Sequence, residues 1–219
     1  MPPGEEFAYE WVVPERAGPG PNDPSSLVWL YHSHVHAAKD SNTGLIGAIL
    51  VTAKGKARPD DRPVDVDREF VTLFNIFDEN QSWCFDVNLK TYLGSPTGFR
   101  TNDPAFVRSN FKHAINGYIF ANLPLMTMRE GERVRWYLLG MGSEPDLHTP
   151  HWHGNTVLCR GQRSDVVELL PASMKVADMV PDNAGTWMFH CHVNDHMAEG
   201  MSARYQVVKV KGPVLSIDK

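Results

Sequence analysis

Apolar and polar positions alternate with a period of two along much of this chain, in short runs. Residues 7–13 (Phe, Ala, Tyr, Glu, Trp, Val, Val), 27–31 and 45–52 read as strands, since a pleated strand sends successive side chains to opposite faces. Further runs follow at 70–77, 132–139, 164–170 and 200–210. In the run at 132–139, Val134, Trp136 and Leu138 alternate with Arg133, Arg135 and Tyr137, the pattern of a half-buried strand. Loops rich in Gly, Pro, Asn and Asp separate the runs and cannot continue them. The polar stretch 54–67, with Pro59, Pro63 and many charges, is the expected linker. No sustained helical period competes, so the pattern predicts an all-β fold built of Greek-key β-sandwiches.

An internal repeat sets the number of units. Trp29-Leu30-Tyr31-His32-Ser33-His34-Val35 aligns with Trp187-Met188-Phe189-His190-Cys191-His192-Val193, 158 residues further on. Upstream, Val13-Pro14-Glu15-Arg16-Ala17-Gly18 echoes Val180-Pro181-Asp182-Asn183-Ala184-Gly185. Two related units are therefore expected. They are unequal: residues 1–55 hold only the closing strands of a sandwich, whereas residues 66–213 are long enough for a complete one.

Composition narrows the function. With 219 residues, 42% hydrophobic, net charge −5 and pI near 6.0, the chain reads as a soluble globular protein. It has no basic run to hold nucleic acid and no apolar stretch long enough to span a bilayer. The acidic first residues lack the apolar core of a secretory signal. Of three cysteines, Cys84 and Cys159 lie in apolar runs and are expected as buried free thiols rather than a disulfide.

The histidines carry the chemistry. Nine of the ten fall into three clusters, leaving only His113 outside. The clusters are His32, His34 and His36; His148, His151 and His153; and His190, His192 and His196. If residues 187–192 form a strand, Cys191 points to one face while His190 and His192 point to the other, so one segment addresses two metal sites. Cys191, His196 and Met201 offer a soft thiolate, an imidazole and a weak thioether, and His148 is the obvious candidate for the second imidazole of a blue-copper set. Ser33 stands in the first unit where Cys191 stands in the second, and a hydroxyl is no substitute for a thiolate.

On these motifs the sequence resembles the multicopper oxidases, most closely the ceruloplasmin-like and two-domain laccase branches, over nearly the whole chain from Val13 to Met201. The resemblance implies cupredoxin sandwiches, one partial and one complete, and copper as cofactor. It implies that His148, Cys191, His196 and axial Met201 hold a type 1 copper, that His151 holds a type 2 copper, and that His153, His190, His192, His32 and His34 hold a type 3 pair. Cys191, His190 and His192 are the residues it makes central to catalysis. The family's further motif, H-x-H-G in the first unit, has no counterpart here, which leads to the expectation of a truncated chain and puts the type 2 copper in question. The function implied is laccase-like: one-electron oxidation of phenols or aromatic amines, coupled to reduction of O2 to water. The alternatives are a ceruloplasmin-type ferroxidase acting on Fe(II), and a blue-copper fragment that only passes electrons. His113 and Asp195 match two iron-binding positions of the ferroxidases, but Arg108 stands where they carry a glutamate; Glu144 and Asp146, near His148, are the candidates to compensate. By analogy the cluster lies between copies in a homotrimer, and the location is extracellular or periplasmic. Copper nitrite reductases share the fold, but their strand has no histidine after the cysteine, and His192 with the His32 and His34 pair argues against them.

Overall fold

In the computed structural model, which describes residues 4–94 and 100–210, the alternating runs become strands β1 (Ser26–His32), β2 (Ile46–Thr52), β3 (Arg68–Asp78), β4 (Phe111–Ile115), β5 (Met126–Arg129), β6 (Val134–Gly140), β7 (Pro150–Trp152), β8 (Val157–Cys159), β9 (Gln162–Ser164), β10 (Met174–Met179), β11 (Gly185–Cys191) and β12 (Ser202–Val208). Among the described residues there are four short α-helices, α1 (Ala37–Asn42), α2 (Phe85–Leu93), α3 (Pro104–Ser109) and α4 (Asn194–Ala198), and two single 3-10 turns at Glu15–Ala17 and Glu79–Gln81. One sheet has the order β4-β3-β6-β10-β8-β9, a second the order β5-β12-β11-β7, and β1 with β2 forms a separate antiparallel ribbon. Residues 1–3 and 211–213, at the ends of the two expected units, lie outside the described residues.

The two large sheets face each other across an aromatic core. Phe74, Trp136 and Leu138 from one sheet meet Phe189, Cys191, Ala203 and Tyr205 from the other, all fully buried or nearly so. Burial of such rings is the main stabilising contribution, roughly 1.5–3 kcal/mol for each large side chain withdrawn from water. Trp136 lies at the middle, its ring centroid 5.0 Å from Phe189 and 5.6 Å from Trp152.

Strand β6 departs from the half-buried expectation: every one of its residues is buried. Its second face, carrying Tyr137 and Leu139, is covered by the β1–β2 ribbon through Val28, Leu30 and Ala48. The polar groups trapped there are paired. Arg135 donates from Nε and Nη2 to the two oxygens of Asp178 at 2.7 and 3.0 Å, and from Nη1 to the Ser25 and Ser26 hydroxyls at 2.8 Å. The Ser26 and Tyr137 hydroxyls lie 2.6 Å apart. An arginine in an alternating pattern is thus here an interior residue, because its partners arrive from β10 and from distant β1.

Three other expectations are corrected. Residues 7–13 are not a strand, since no described strand offers them an edge; their rings make edge-to-face contacts instead, Phe7 with Tyr9 at 4.9 Å and Trp11 with Tyr31 of β1 at 5.2 Å. The run at 164–170 breaks after Ser164, where the chain leaves the six-stranded sheet and touches the other side through the single bridges His151–Val166 and His148–Leu169. Cys84 is a free thiol but exposed, at the start of α2, and Cys159 is free and partly buried. Among the described residues no helix is long and apolar enough to cross a membrane.

The repeat has structural echoes. α1 follows β1 as α4 follows β11. Trp29 Nε1 donates to the Ala17 carbonyl at 2.7 Å, and Trp187 Nε1 to the Asn183 carbonyl at 3.0 Å.

Candidate metal centre

Strand β11 delivers its last residues to two places. Its inward positions, Phe189 and Cys191, enter the core between the sheets, while His190 points out of the sandwich. His148 is fixed opposite Cys191 by its backbone, which exchanges N–H to carbonyl bonds with Leu169 at 2.9 and 2.8 Å. His196 comes from α4, and the chain around it is closed by two bonds: Met201 N–H to the His196 carbonyl at 2.9 Å and Cys191 N–H to the Met201 carbonyl at 3.0 Å. Gly200 makes this closure possible; its φ is +107°, and a Cβ there would lie 3.0 Å from the Phe120 ring.

The result is a buried donor set. Cys191 Sγ lies 3.9 Å from His148 Nδ1 and 3.6 Å from His196 Nδ1, and all three residues are buried. Met201 is fully buried in the same core cluster as Cys191. Burial alone would push the Cys191 thiol up, but the His148 and His196 imidazoles, with the Thr149 and Val193 N–H groups, bring it down to about 6. A thiol so placed is a thiolate at neutral pH, the form that binds metal. Burial also works against a charged His148, yet its bonds to Asp146 and Cys191 outweigh that and raise its pKa. A thiolate, two Nδ1 atoms and a thioether are the donors a soft, redox-active metal prefers.

Behind Cys191 a second group converges. His190 Nε2 lies 3.1 Å from His151 Nδ1 and 3.0 Å from His153 Nε2. His190 Nδ1 donates to the Cys191 carbonyl at 2.8 Å, which leaves Nε2 as a lone pair. Burial, then the neighbouring His153, lowers the pKa of His151; burial also lowers that of His190. Neutral imidazoles are the ligating form, and nitrogens 3 Å apart with lone pairs facing one another are relieved by a cation between them. His192 is exposed, its ring 5.1 Å from that of His151. His32 and His34 are not part of this group. Their rings lie 5.1 Å apart, and His32 Nδ1 meets the Ser33 carbonyl at 2.9 Å, the same local geometry as His190. No group of three ligand residues among the described residues includes either of them.

At the counterpart of Cys191 in the first unit, the Ser33 hydroxyl donates to Asp40, a buried carboxylate that also accepts from Trp83 Nε1 at 2.7 Å.

Beside His196 opens a cleft of about 700 Å³, with His113, Asp146, Asp195, Glu199, Asp78 and Arg108 among its lining. The His113 ring lies 5.2 Å from that of His196, and its Nδ1 is buried without a hydrogen-bond partner. Burial, then the neighbouring His196 imidazole, lowers its pKa, which favours the neutral form that can donate a lone pair. Asp195 in α4 and Glu199, the residue that ends it, stand at i and i+4. Glu199 was not singled out by the sequence, although that spacing is visible there. Of the two acids expected to compensate for Arg108, Glu144 is exposed and does not line the cleft, and Asp146 is held by the backbone and by His148.

Comparison with known proteins agrees with this chemistry. Ferroxidase HEPHL1 of Mus musculus is 45% identical, covering 97% of this chain and 18% of its own. Hephaestin of Homo sapiens is 47% identical, covering 94% and 18%. Ceruloplasmin of Homo sapiens is 42% identical, covering 94% and 20%. The chain therefore spans about a fifth of the length of these relatives. A solved multicopper oxidase superimposes with a TM-score of 0.58 at 20% identity, covering 85% of this chain and 58% of that one, which supports the cupredoxin-like, sheet-rich fold. A family model described as multicopper oxidase matches residues 90–211, the stretch that holds the buried thiolate set and the group of His151, His153 and His190 behind it. With more than half of its length matched by that model, the chain belongs to the multicopper oxidase family, whose cofactor is copper.

Proposed function

We propose that this chain is the electron-accepting part of a ferroxidase. Fe(II) is the reductant, taken in the cleft beside His196, and O2 is the oxidant, reduced at the histidine group behind β11; four Fe(II), one O2 and four protons give four Fe(III) and two waters. The observation that carries this reading is the His113 ring 5.2 Å from the His196 ring, in a cleft that Asp195 and Glu199 also line. The relatives support it, one of them being named a ferroxidase. Four carboxylates in the lining, Asp78, Asp146, Asp195 and Glu199, outnumber the one guanidinium, Arg108, and favour a cation over a neutral ring. The ferroxidase reading therefore displaces the phenol or aromatic-amine oxidase that the sequence put first.

His148, Cys191, His196 and Met201 would hold the type 1 copper, His151 the type 2 copper, and His153, His190 and His192, with His32 and His34 of another copy, the type 3 pair. Copper, when bound, supplies one-electron exchange at the thiolate set and reduction of O2 at the imidazole set. The chain's own residues do the rest. Asp195 and Glu199 attract and orient the cation, His113 brings a neutral imidazole to it, and the peptide bonds joining Cys191 to His190 and His192 give a short bonded route between the two sites. Residues 1–55 would be the closing part of one cupredoxin unit and 66–213 a complete second one, assembled as a homotrimer outside the cytoplasm.

The test loads the protein with copper(II) and adds Fe(II) or a diphenol without O2, following the loss of the visible thiolate band. His113→Ala with Asp195→Asn should slow bleaching by Fe(II) about tenfold or more and leave bleaching by the diphenol unchanged. Equal slowing with both reductants would sink the ferroxidase reading.

A further inference from the structure

The cleft beside His196 divides its charges into engaged and unengaged. Asp78 accepts on both oxygens, from Asn80 N–H and Nδ2 at 3.0 and 2.7 Å and from Gln81 Nε2 at 2.7 Å. Asp146 does the same, from Ile76 N–H at 2.8 Å and Ser143 N–H at 3.0 Å. Three charged side chains of the lining remain: Asp195 and Glu199 at α4, and Arg108 on the last turn of α3, all exposed. Among the described residues none of the three side chains has a hydrogen bond or ion pair, so Arg108 faces the same space as two acids without pairing with either.

Arg108 is free, yet the backbone around it is anchored. The Val107 carbonyl accepts from Asn80 Nδ2 at 3.0 Å and the Ser109 carbonyl from Lys112 Nζ at 2.7 Å. Two neutral groups of α1 line the cleft as well. Ser41 is 9% exposed and its hydroxyl has no hydrogen-bond partner. Asn42 accepts from Asp78 N–H at 2.9 Å through Oδ1, which leaves its Nδ2 unengaged among the described residues. The volume of about 700 Å³ is several times that of an iron(II) ion with six waters, roughly 200 Å³ at 30 Å³ for each water.

Guanidinium, amide and hydroxyl donors recognise carboxylate oxygens, whereas Asp195, Glu199 and the His113 imidazole recognise a metal ion. A bare cation would be repelled by Arg108 and would leave the donors unpaired. A ligand that carries a metal at one end and free carboxylate at the other satisfies both groups. We propose that the cleft takes Fe(II) as its chelate with a small polycarboxylate of the citrate class, the metal towards Asp195, Glu199 and His113 and a carboxylate of the chelator on Arg108. The iron gives one electron to the thiolate site and leaves as Fe(III) on the same chelator, and no proton moves. The proposal rests on the ferroxidase reading, but its first test does not.

Isothermal titration of the copper-loaded protein with gallium(III) citrate, which exchanges no electron, measures binding alone. The unaltered chain should bind it. Arg108→Gln should bind it at least about tenfold more weakly, and Arg108→Lys, which keeps the charge without the planar fork, should fall between the two. No binding by the unaltered chain, or equal binding by Arg108→Gln, overturns the proposal. Anaerobic bleaching of the thiolate band adds the direction: Arg108→Gln should need about tenfold more Fe(II) citrate for half-saturation and less Fe(II) in a weakly coordinating buffer. An unchanged ratio between the two iron sources overturns the proposal. If gallium citrate binds through Arg108 while bleaching by either iron source is indifferent to His113→Ala with Asp195→Asn, the ferroxidase reading falls and the chelate site stands.

Discussion

Cys191 couples burial to reactivity. A fully buried thiol should resist ionisation, yet two imidazoles within 4 Å and the Thr149 N–H at 3.4 Å leave it at about 6. Replacing it by serine removes the soft donor and leaves the three imidazoles behind the strand untouched. Cys191→Ser should therefore lose the visible thiolate band and one bound copper per chain, while the group of His151, His153 and His190 still binds metal; metal analysis beside an absorption spectrum checks both. The candidate ligands were legible in the sequence because Cys, His and Met at those spacings have few other uses. Asp146 and Glu199 were less so. One looks like any loop acid until Ile76 and Ser143 are seen to close on it, and the other gains meaning only when α4 turns it towards His113.

At the scale of elements, β3 and β6 form the frame on which the site is built. Their parallel pairing is secured at its start by Asp67, which accepts from Arg133 Nη2 at 2.7 Å, and by Glu132, which accepts from Arg68 Nε at 2.8 Å. The Arg133 hydrogen bonds bring the Asp67 carboxyl down to about 2, and Arg68 lowers Glu132. Carboxylates depressed on folding add stability above their unfolded pKa of roughly 4, and that contribution is lost as pH falls towards 2. Asp67→Asn should accordingly reduce the difference between urea midpoints measured at about pH 5 and pH 2.5, by a modest amount because the pair is partly solvated. Trp136→Ala, at the centre of the core, should cost about 3–5 kcal/mol in the same titration. Alternation made β3, β6 and β12 visible in the sequence. It misjudged β6, whose second cover comes from Val28 and Leu30 more than a hundred residues away, and residues 7–13, where a strand-like pattern has no partner edge. The helices α2 and α3 were not foreseen, although Asp103 before Pro104 is a readable start: its carboxylate accepts from Ala105 and Phe106 N–H at 2.9 and 3.1 Å.

For the whole molecule, the question is where the open histidine group finds its remaining ligands. His153 and His192 are exposed, and His32 and His34 are set apart from them within one chain. If copies complete one another, a chain with His32→Ala and His34→Ala and a chain with His190→Ala should each lose at least about tenfold in O2 consumption, and an equimolar mixture should recover part of it. No recovery on mixing would place the remaining ligands outside a second copy.

The double cover of β6 carries one more consequence. Excising the first 55 residues would bare Tyr137, Leu139 and Val176 to water and turn an interior seam into an adhesive patch prone to aggregate. A protease nick within 54–67, by contrast, should leave two fragments that still sediment as one particle until denaturant parts them.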